Sequence, residues 1–328
     1  MNSMMRPTLT VAVCTRNRAE LLKECLDSVV SQIDSAKNVE VLVVDNGSTD
    51  GTAETCKAFE GRGFLFKYAF EPQPGLSHAR NRAIAKANGE AIAFLDDDAV
   101  VCDGWLDGAL ENWKSGKYAA FGGPYDAWHR YGPAPEWFDD KWESYLPGWT
   151  NGPLERDFFP RGGNCVISLE WCCKMGGFDA GLGMRGNKVA YGEESDLFKR
   201  MQDDGAVLGW VNELLIHHCV RPDKYGFFWR VKSSIFRGRD CLLVLLPEFR
   251  LRIFARHAAK CCLLCADFAV RFALSRFAKN RRHWKRELLD LGQPVLFECG
   301  KAVGLLRLLF SPRRDAGKRS PAESAPRE

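Results

Sequence analysis

The sequence predicts an α/β fold: a mostly parallel, Rossmann-like sheet with helices on both faces, followed by a basic helical extension. Three observations predict it. Short apolar runs recur through the first hundred residues, segments of helical period separate them, and polar clusters close three of the runs. The apolar residues in them are continuous rather than alternating, which marks strands buried on both sides. In such sheets ligands bind beyond the carboxyl ends of the strands.

The elements follow in order. Leu9–Cys14 reads as a buried strand and ends on Thr15-Arg16-Asn17. Ala19–Ile33 places Leu22, Leu26, Val29, Val30 and Ile33 on one helical face. Val39–Val44 is a second strand, ending at Asp45-Asn46-Gly47-Ser48. A helix from Thr52 and a strand at Phe64–Phe70 come next. Ser77–Asn88 is helical, with Gly89 as its stop signal. Ala91–Leu95 then runs straight into Asp96-Asp97-Asp98. Residues 122–160 are dense in Pro, Gly and Trp, a composition expected of a lid or acceptor loop. A short strand after Gly205 ends at His217-His218, and from Phe227 the pattern turns helical and basic.

The charge is unevenly distributed. The first 220 residues carry 22 Lys and Arg against 32 Asp and Glu, whereas Arg221–Glu328 carry 24 against 10. The chain therefore divides into 1–220, with halves 1–100 and 101–220, a basic amphipathic extension 221–310, and a tail 311–328 expected to be disordered. In the extension, Arg252, Arg256, Lys260, Asp267 and Arg271 share one stripe, opposite Phe254, Cys261, Cys265, Phe268 and Phe272. That pattern suits either an anionic membrane surface or a helical subdomain packed on the core, and no nucleic-acid partner is expected.

The 13 cysteines form no set of paired CxxC knuckles. Cys261, Cys262 and Cys265 fall in an apolar stretch, where free cysteine behaves as a small hydrophobe. So many thiols favour a reducing compartment. The longest apolar runs, Cys241–Pro247 and Cys261–Ala266, fall far short of the roughly 20 residues a spanning helix needs. Met1–Thr10 has no stretch of signal-peptide type. The expected location is cytoplasmic, peripheral at the inner face of the cell membrane.

Three adjacent carboxylates at a strand end repel one another, and something must neutralise them. A hard divalent cation bridging to substrate phosphates does so, since Mg²⁺ takes only one or two protein carboxylates. The sequence also lacks a P-loop and a GxGxxG in dinucleotide-binding context.

Four pieces in order, Val11–Arg18, Val43–Thr52, Gly75–Asn81 and Gly89–Asp98, resemble the nucleotide-binding half of family-2 glycosyltransferases with the GT-A fold. The resemblance makes 1–100 the nucleotide-binding half and 101–220 the acceptor and catalytic half. It implies that Thr15 and Arg16 line the nucleoside pocket, Asp45 accepts a hydrogen bond from the base, and Arg80 lies near the nucleotide. Asp96 would contact the ribose, and Asp98 would hold Mn²⁺ or Mg²⁺ on the diphosphate. Arg161-Gly162-Gly163-Asn164 resembles the glycine loop beside the donor sugar, with Gly162 and Gly163 admitting the ligand to the backbone. Gly192-Glu193-Glu194-Ser195-Asp196-Leu197 resembles the segment with the catalytic base. The family pattern there is often Glu-Asp, and this chain has Glu-Glu. Glu194 is the first choice for the base, Asp196 the second and Glu193 the third. Of the two histidines, His217 is favoured as the metal ligand.

The resemblance implies an inverting hexosyltransferase-type enzyme. It would move a sugar from a UDP- or GDP-linked donor to an acceptor hydroxyl, in cell-surface polysaccharide or lipid-linked glycan synthesis. Two other classes compete with it: a catalytically silent nucleotide- or sugar-binding protein on the same scaffold, and a sugar nucleotidyltransferase. The second lacks its Gly-rich, Arg/Lys-bearing phosphate loop after Leu9–Cys14.

Overall fold

The computed structural model describes residues 7–34, 37–184, 190–245, 250–276 and 283–310. The expected disordered tail lies outside them. The elements of the first part are β1 (Leu9–Thr15), α1 (Ala19–Val30), β2 (Val39–Asp45), α2 (Thr52–Lys57), β3 (Leu65–Phe70), α3 (Leu76–Lys86), β4 (Ala91–Asp96) and β5 (Ala99–Val101). They continue as α4 (Trp105–Lys114), β6 (Ala120–Gly122), β7 (Tyr125–Trp128), β8 (Gly152–Pro153), β9 (Asn164–Ser168), α5 (Leu169–Lys174), α6 (Glu193–Asp203), β10 (Leu208–Trp210) and β11 (Ile216–Cys219). Three long helices close the described chain: α7 (Phe227–Leu245), α8 (Leu251–Ser275) and α9 (Trp284–Phe310).

The main sheet has the order β3-β2-β1-β4-β9-β6-β10-β8. Its first four strands are parallel, while β9 runs antiparallel to both neighbours. Side chains along each strand alternate between two apolar layers. Val11 and Val13, Val41 and Val43, and Ala93 and Leu95 join Leu22, Leu26, Phe59 and Trp105 on one face. Ala12, Leu42 and Val44, and Ile92 and Phe94, join Ala79, Ala83, Phe178, Phe198 and Met201 on the other. Both faces are thus buried, and this is why the strands read as continuous apolar runs rather than alternating ones.

The register aligns the strand ends. Thr15 pairs with Asp45, and Cys14 with Asp96, so three polar termini finish level on one edge of the sheet. A second sheet, β5-β11-β7, stands beyond β4. In it His217 is opposite Val100 and Asp126, and His218 is opposite Ala99 and Ala127.

Contacts divide the chain into two compact units. The first is Met1–Trp128, Asp140–Gly186 and Glu193–Cys219; the second is His129–Asp139, Asn187–Gly192 and Val220–Glu328. Part of the Trp-rich loop therefore groups with the C-terminal helices, which no composition boundary signals.

In the second unit, α7 and α9 meet backbone to backbone. A Cβ on Gly238 would strike the Phe297 carbonyl, one on Gly300 the Ile235 carbonyl, and one on Gly304 the Arg239 carbonyl. Helix α8 packs on α9 with the face Phe254, His257, Cys261 and Phe268. Glu298 of α9 is buried there and accepts from His257 (2.7 Å), Lys260 (3.0 Å) and Lys301 (3.1 Å). Burial alone would raise its pKa, but these three partners hold it down at about 2.

The expected polar stripe of Arg252, Arg256, Lys260, Asp267 and Arg271 is exposed. Cys262 and Cys265 are exposed too, so they are not the core hydrophobes that their setting suggests. Leu251, Leu263, Val270 and Leu274 of α8 are also exposed. Among the described residues, no helix is long and apolar enough to cross a membrane.

Candidate active site at the carboxyl edge of the sheet

The loops after β1 and β2 are tied together, which fixes the polar strand ends. Asn17, at φ 55°, receives a hydrogen bond from Thr49 N–H (2.6 Å), and its own N–H donates to Ser48 Oγ (2.9 Å). Asp50 accepts from Ala19 N–H (3.1 Å) at the start of α1. Thr15 is buried and Arg16 is exposed at this rim. Asp45 is only 2% exposed, and its two oxygens accept from Ser48 N–H (2.8 Å) and Tyr68 O–H (2.9 Å). An ionised carboxylate offers about four lone-pair positions, so two internal donors leave room for another. Burial, then the bond to Asp45, pushes the Tyr68 hydroxyl up to about 12.

The aspartate triplet separates by direction. Asp97 turns inward, is 4% exposed, and meets Arg18 Nη1 at 2.5 Å. The same nitrogen lies 3.3 Å from Asp98 Oδ2. A fixed guanidinium therefore performs part of the neutralisation that the sequence assigns wholly to a metal. Arg18 stands in the motif Thr15-Arg16-Asn17-Arg18, and only its position in the fold reveals its partner.

Asp96, Asp98 and His218 each bring one ligand atom to a common point, all within 4.8 Å of one another. His218 Nε2 lies 3.4 Å from Asp98 Oδ1, while its Nδ1 faces Glu143 Oε2 at 3.8 Å. Two carboxylate oxygens and one imidazole nitrogen suit Mn²⁺ or Mg²⁺, and three protein ligands leave positions for phosphate oxygens. A carboxylate behind the distal nitrogen is the usual device for aiming a ligating histidine.

His217, expected as the metal ligand, stands apart from this grouping. Its side chain is 46% exposed and its Nδ1 faces Asp126 Oδ2 at 3.8 Å. Adjacent residues of a strand point to opposite faces, and β11 turns His218, not His217, towards the aspartates. The grouping also brings Asp96, expected at the ribose, among the possible metal ligands.

Arg80 lies beneath this cluster, 4% exposed, against the rings of Phe94 and Phe178. Its Nη1 is 2.9 Å from Glu193 Oε1 and its Nη2 is 3.7 Å from Asp96 Oδ1. The glycine loop passes directly over it. A Cβ on Gly162 would come within 3.0 Å of Arg80 Nη1 and of Glu194 Cβ, and one on Gly163 would fall inside the Asp96 carboxylate. Glycine is required here for close approach of backbone to side chain. Asn164 then anchors the loop, accepting from Trp105 Nε1 (2.9 Å) and donating to the Leu214 carbonyl (2.5 Å).

Helix α6 opens with the acidic segment. Burial first, then the neighbouring Glu194, raises the Glu193 carboxyl to about 8 despite Arg80. Glu194 is half-buried beside Gly162. Asp196 pairs with Arg200 at 3.0 Å, and Arg200 donates on to the Gly177 carbonyl at 2.8 Å. This engagement anchors α6 to the Gly176-Gly177 turn and gives Asp196 a structural task. Two of the loop tryptophans pack within the protein: Trp149 against Tyr145, Phe158 and Trp210, and Trp137, in the second unit, against Phe138 and Phe227.

Comparison with known proteins fits this geometry. Residues 10–160 match the sequence profile of glycosyl transferase family 2. The chain is a glycosyltransferase whose residues 10–160 carry the family-2 pattern.

Its relatives include the succinoglycan biosynthesis protein ExoM of Rhizobium meliloti, 27% identical over 70% of this chain and 73% of that protein. Glycosyltransferase AglE of Haloferax volcanii is 28% identical over 76% of this chain and 78% of that one. Among solved structures, the mannosyltransferase PcManGT of Pyrobaculum calidifontis, in complex with GDP-Man and Mn²⁺, superposes with a TM-score of 0.55. That match has 20% identity and covers 96% of this chain and 78% of the other, which shows the GT-A fold.

Proposed function

We propose that this glycosyltransferase inverts the anomeric centre, passing a sugar from a UDP- or GDP-linked donor to an acceptor hydroxyl of a polysaccharide or lipid-linked glycan. The observation that carries the reading is the convergence of Asp96, Asp98 and His218 at the sheet edge, with Glu194 beside the Gly162-Gly163 loop that roofs Arg80. The succinoglycan role in the name of ExoM supports a polysaccharide acceptor.

In this reading Thr15, Arg16 and Asp45 face the nucleoside, with the remaining acceptor positions of Asp45 taking an N–H of the base. Asp96, Asp98 and His218 hold a divalent cation, which when bound offsets charge on the leaving diphosphate. Arg80 fixes Asp96 on one side and Glu193 on the other. Gly162 and Gly163 let the donor sugar approach the backbone. Glu194 accepts the proton of the attacking hydroxyl, the part an inverting displacement requires of a carboxylate. Glu193 is raised to about 8 by burial and is engaged by Arg80 at 2.9 Å, which suits it less to that part.

The test is a binding and turnover screen of UDP-, GDP- and dTDP-sugars with and without Mn²⁺. Cation-dependent binding of one donor and release of its nucleoside diphosphate are expected. Binding without turnover for every acceptor class would favour a silent binding protein.

The basic stripe of α8 beside exposed Leu251, Leu263, Val270 and Leu274 supports docking on an anionic membrane surface. The double substitution Leu263→Glu and Leu274→Glu in the full chain is expected to reduce co-flotation with phosphatidylglycerol vesicles. Unchanged flotation would refute the membrane reading alone.

A further inference from the structure

Helices α8 and α9 carry thiols that sugar transfer does not use. Cys261 Sγ lies 2.9 Å from Cys299 Sγ across the contact between the two helices. Small side-chain rotations separate that distance from a disulfide bond of about 2.05 Å. Both residues are half-buried, and Cys265, one helical turn beyond Cys261, is exposed and hydrogen-bonds to it. Cys299 is held in place because its neighbour Gly300 is pressed on the backbone of α7. Lys260 and Lys301 flank the pair, both tied to Glu298. The side chain of Lys260 is 57% exposed and presents positive charge to solvent.

We propose that Cys261 and Cys299 form a reversible thiol–disulfide site. It takes a small anionic disulfide, of the glutathione disulfide class, as oxidant and closes a covalent link between α8 and α9. The thiolate of one cysteine attacks a sulfur of the oxidant, forming a mixed disulfide and releasing one small thiol. The second cysteine then attacks the protein sulfur of that mixed disulfide and expels the other small thiol. In sum, two protein thiols lose two electrons and two protons, and the oxidant gains them as two molecules of thiol. A reduced small thiol in excess reverses both steps. The hydrogen bond to Cys299, with burial second, pushes the Cys261 thiol up to about 11. Exchange is accordingly slow at neutral pH and quickens as the pH rises, because the thiolate is the nucleophile.

The experiment uses the full chain, reduced and then equilibrated in glutathione–glutathione disulfide buffers at pH 7 and pH 9. Free thiols are alkylated, and the protein is digested without reduction for peptide mapping by mass spectrometry. A peptide pair joined through Cys261 and Cys299 is expected as the main intramolecular link, forming faster at pH 9. Cys299→Ser should abolish it and leave Cys261 as a glutathione adduct, while Cys262→Ser should leave it intact. If exposed Cys173 and Cys262 take up glutathione while no Cys261–Cys299 peptide forms, the proposal is wrong. The wild-type map decides this even if a variant fails to fold, and the outcome is independent of transferase activity.

Discussion

Arg80 and Glu193 meet at 2.9 Å with less than a tenth of either side chain exposed, and Arg80 reaches Asp96 with its other nitrogen. One cation thus joins the end of β4 to the start of α6, two elements separated by about a hundred residues of sequence. Removing it leaves the buried Glu193 carboxyl without its partner. Arg80→Met is expected to lower unfolding free energy by about 1–3 kcal/mol, the cost of leaving a buried hydrogen-bonding group unsatisfied. Urea denaturation measures this, and adding Glu193→Gln should recover part of the loss.

The same pair fixes the sign of one pH effect. Glu193 titrates at about 8 in the folded chain, against about 4.3 when unfolded. Between these values the folded state holds the extra proton, so this residue's contribution is full below about pH 4 and is lost as the pH rises towards 8. Glu193→Gln should therefore flatten the decline in stability across pH 5 to 8. Identical pH profiles for the two proteins would contradict the assignment.

Strand alternation separates the adjacent histidines. His218→Ala should weaken Mn²⁺ binding at least ~10-fold, since it removes one of three candidate ligands. His217→Ala should change it by less than about twofold. Paramagnetic titration of free Mn²⁺ reads both directly.

Gly163 leaves no room for a methyl group next to Asp96. Gly163→Ala should destabilise the fold by about 1–3 kcal/mol through overpacking. Because the displaced group is Asp96, cation affinity should fall with stability, whereas Gly152→Ala, where a methyl group meets only an ordinary contact at 4.0 Å, should spare both. Calorimetric titration of Mn²⁺ with thermal unfolding separates the two effects.

For Glu194, replacement by Gln keeps volume and hydrogen bonding but removes the proton acceptor. Turnover should drop by about 10²–10⁴ while donor affinity stays within a few-fold. Equal loss in Asp196→Asn with Glu194→Gln fully active would move the base to Asp196.

Much of this was readable in the residues. Val11–Cys14, Val41–Val44 and Ala91–Leu95 are apolar throughout because each is packed from both sides, and a polar cluster after such a run can lie only at the sheet edge. What escaped depends on pairing partners that no local pattern encodes. The choice between His217 and His218 follows from the register of β11 with β5 and β7. The bond of Arg18 to Asp97 links positions 79 residues apart. Asp196 reads as a free acid until Arg200, one turn away, is seen to continue to the Gly177 carbonyl. The Cys261–Cys299 approach was hidden because helical period alone does not tell which helix lies opposite.

Arg18 has a thermodynamic consequence for whatever the triplet holds. With its guanidinium locked between Asp97 and Asp98, Arg18 takes one unit from the formal −3 of the three aspartates. In the proposed reading, a dication therefore meets a weaker field than the bare triplet would present, and departs from a shallower electrostatic trap. A neutral side chain at position 18 would grip the ion harder and release it more slowly. In that reading the arginine shortens residence time, so that the cation comes and goes with each nucleotide rather than staying as a permanent fixture.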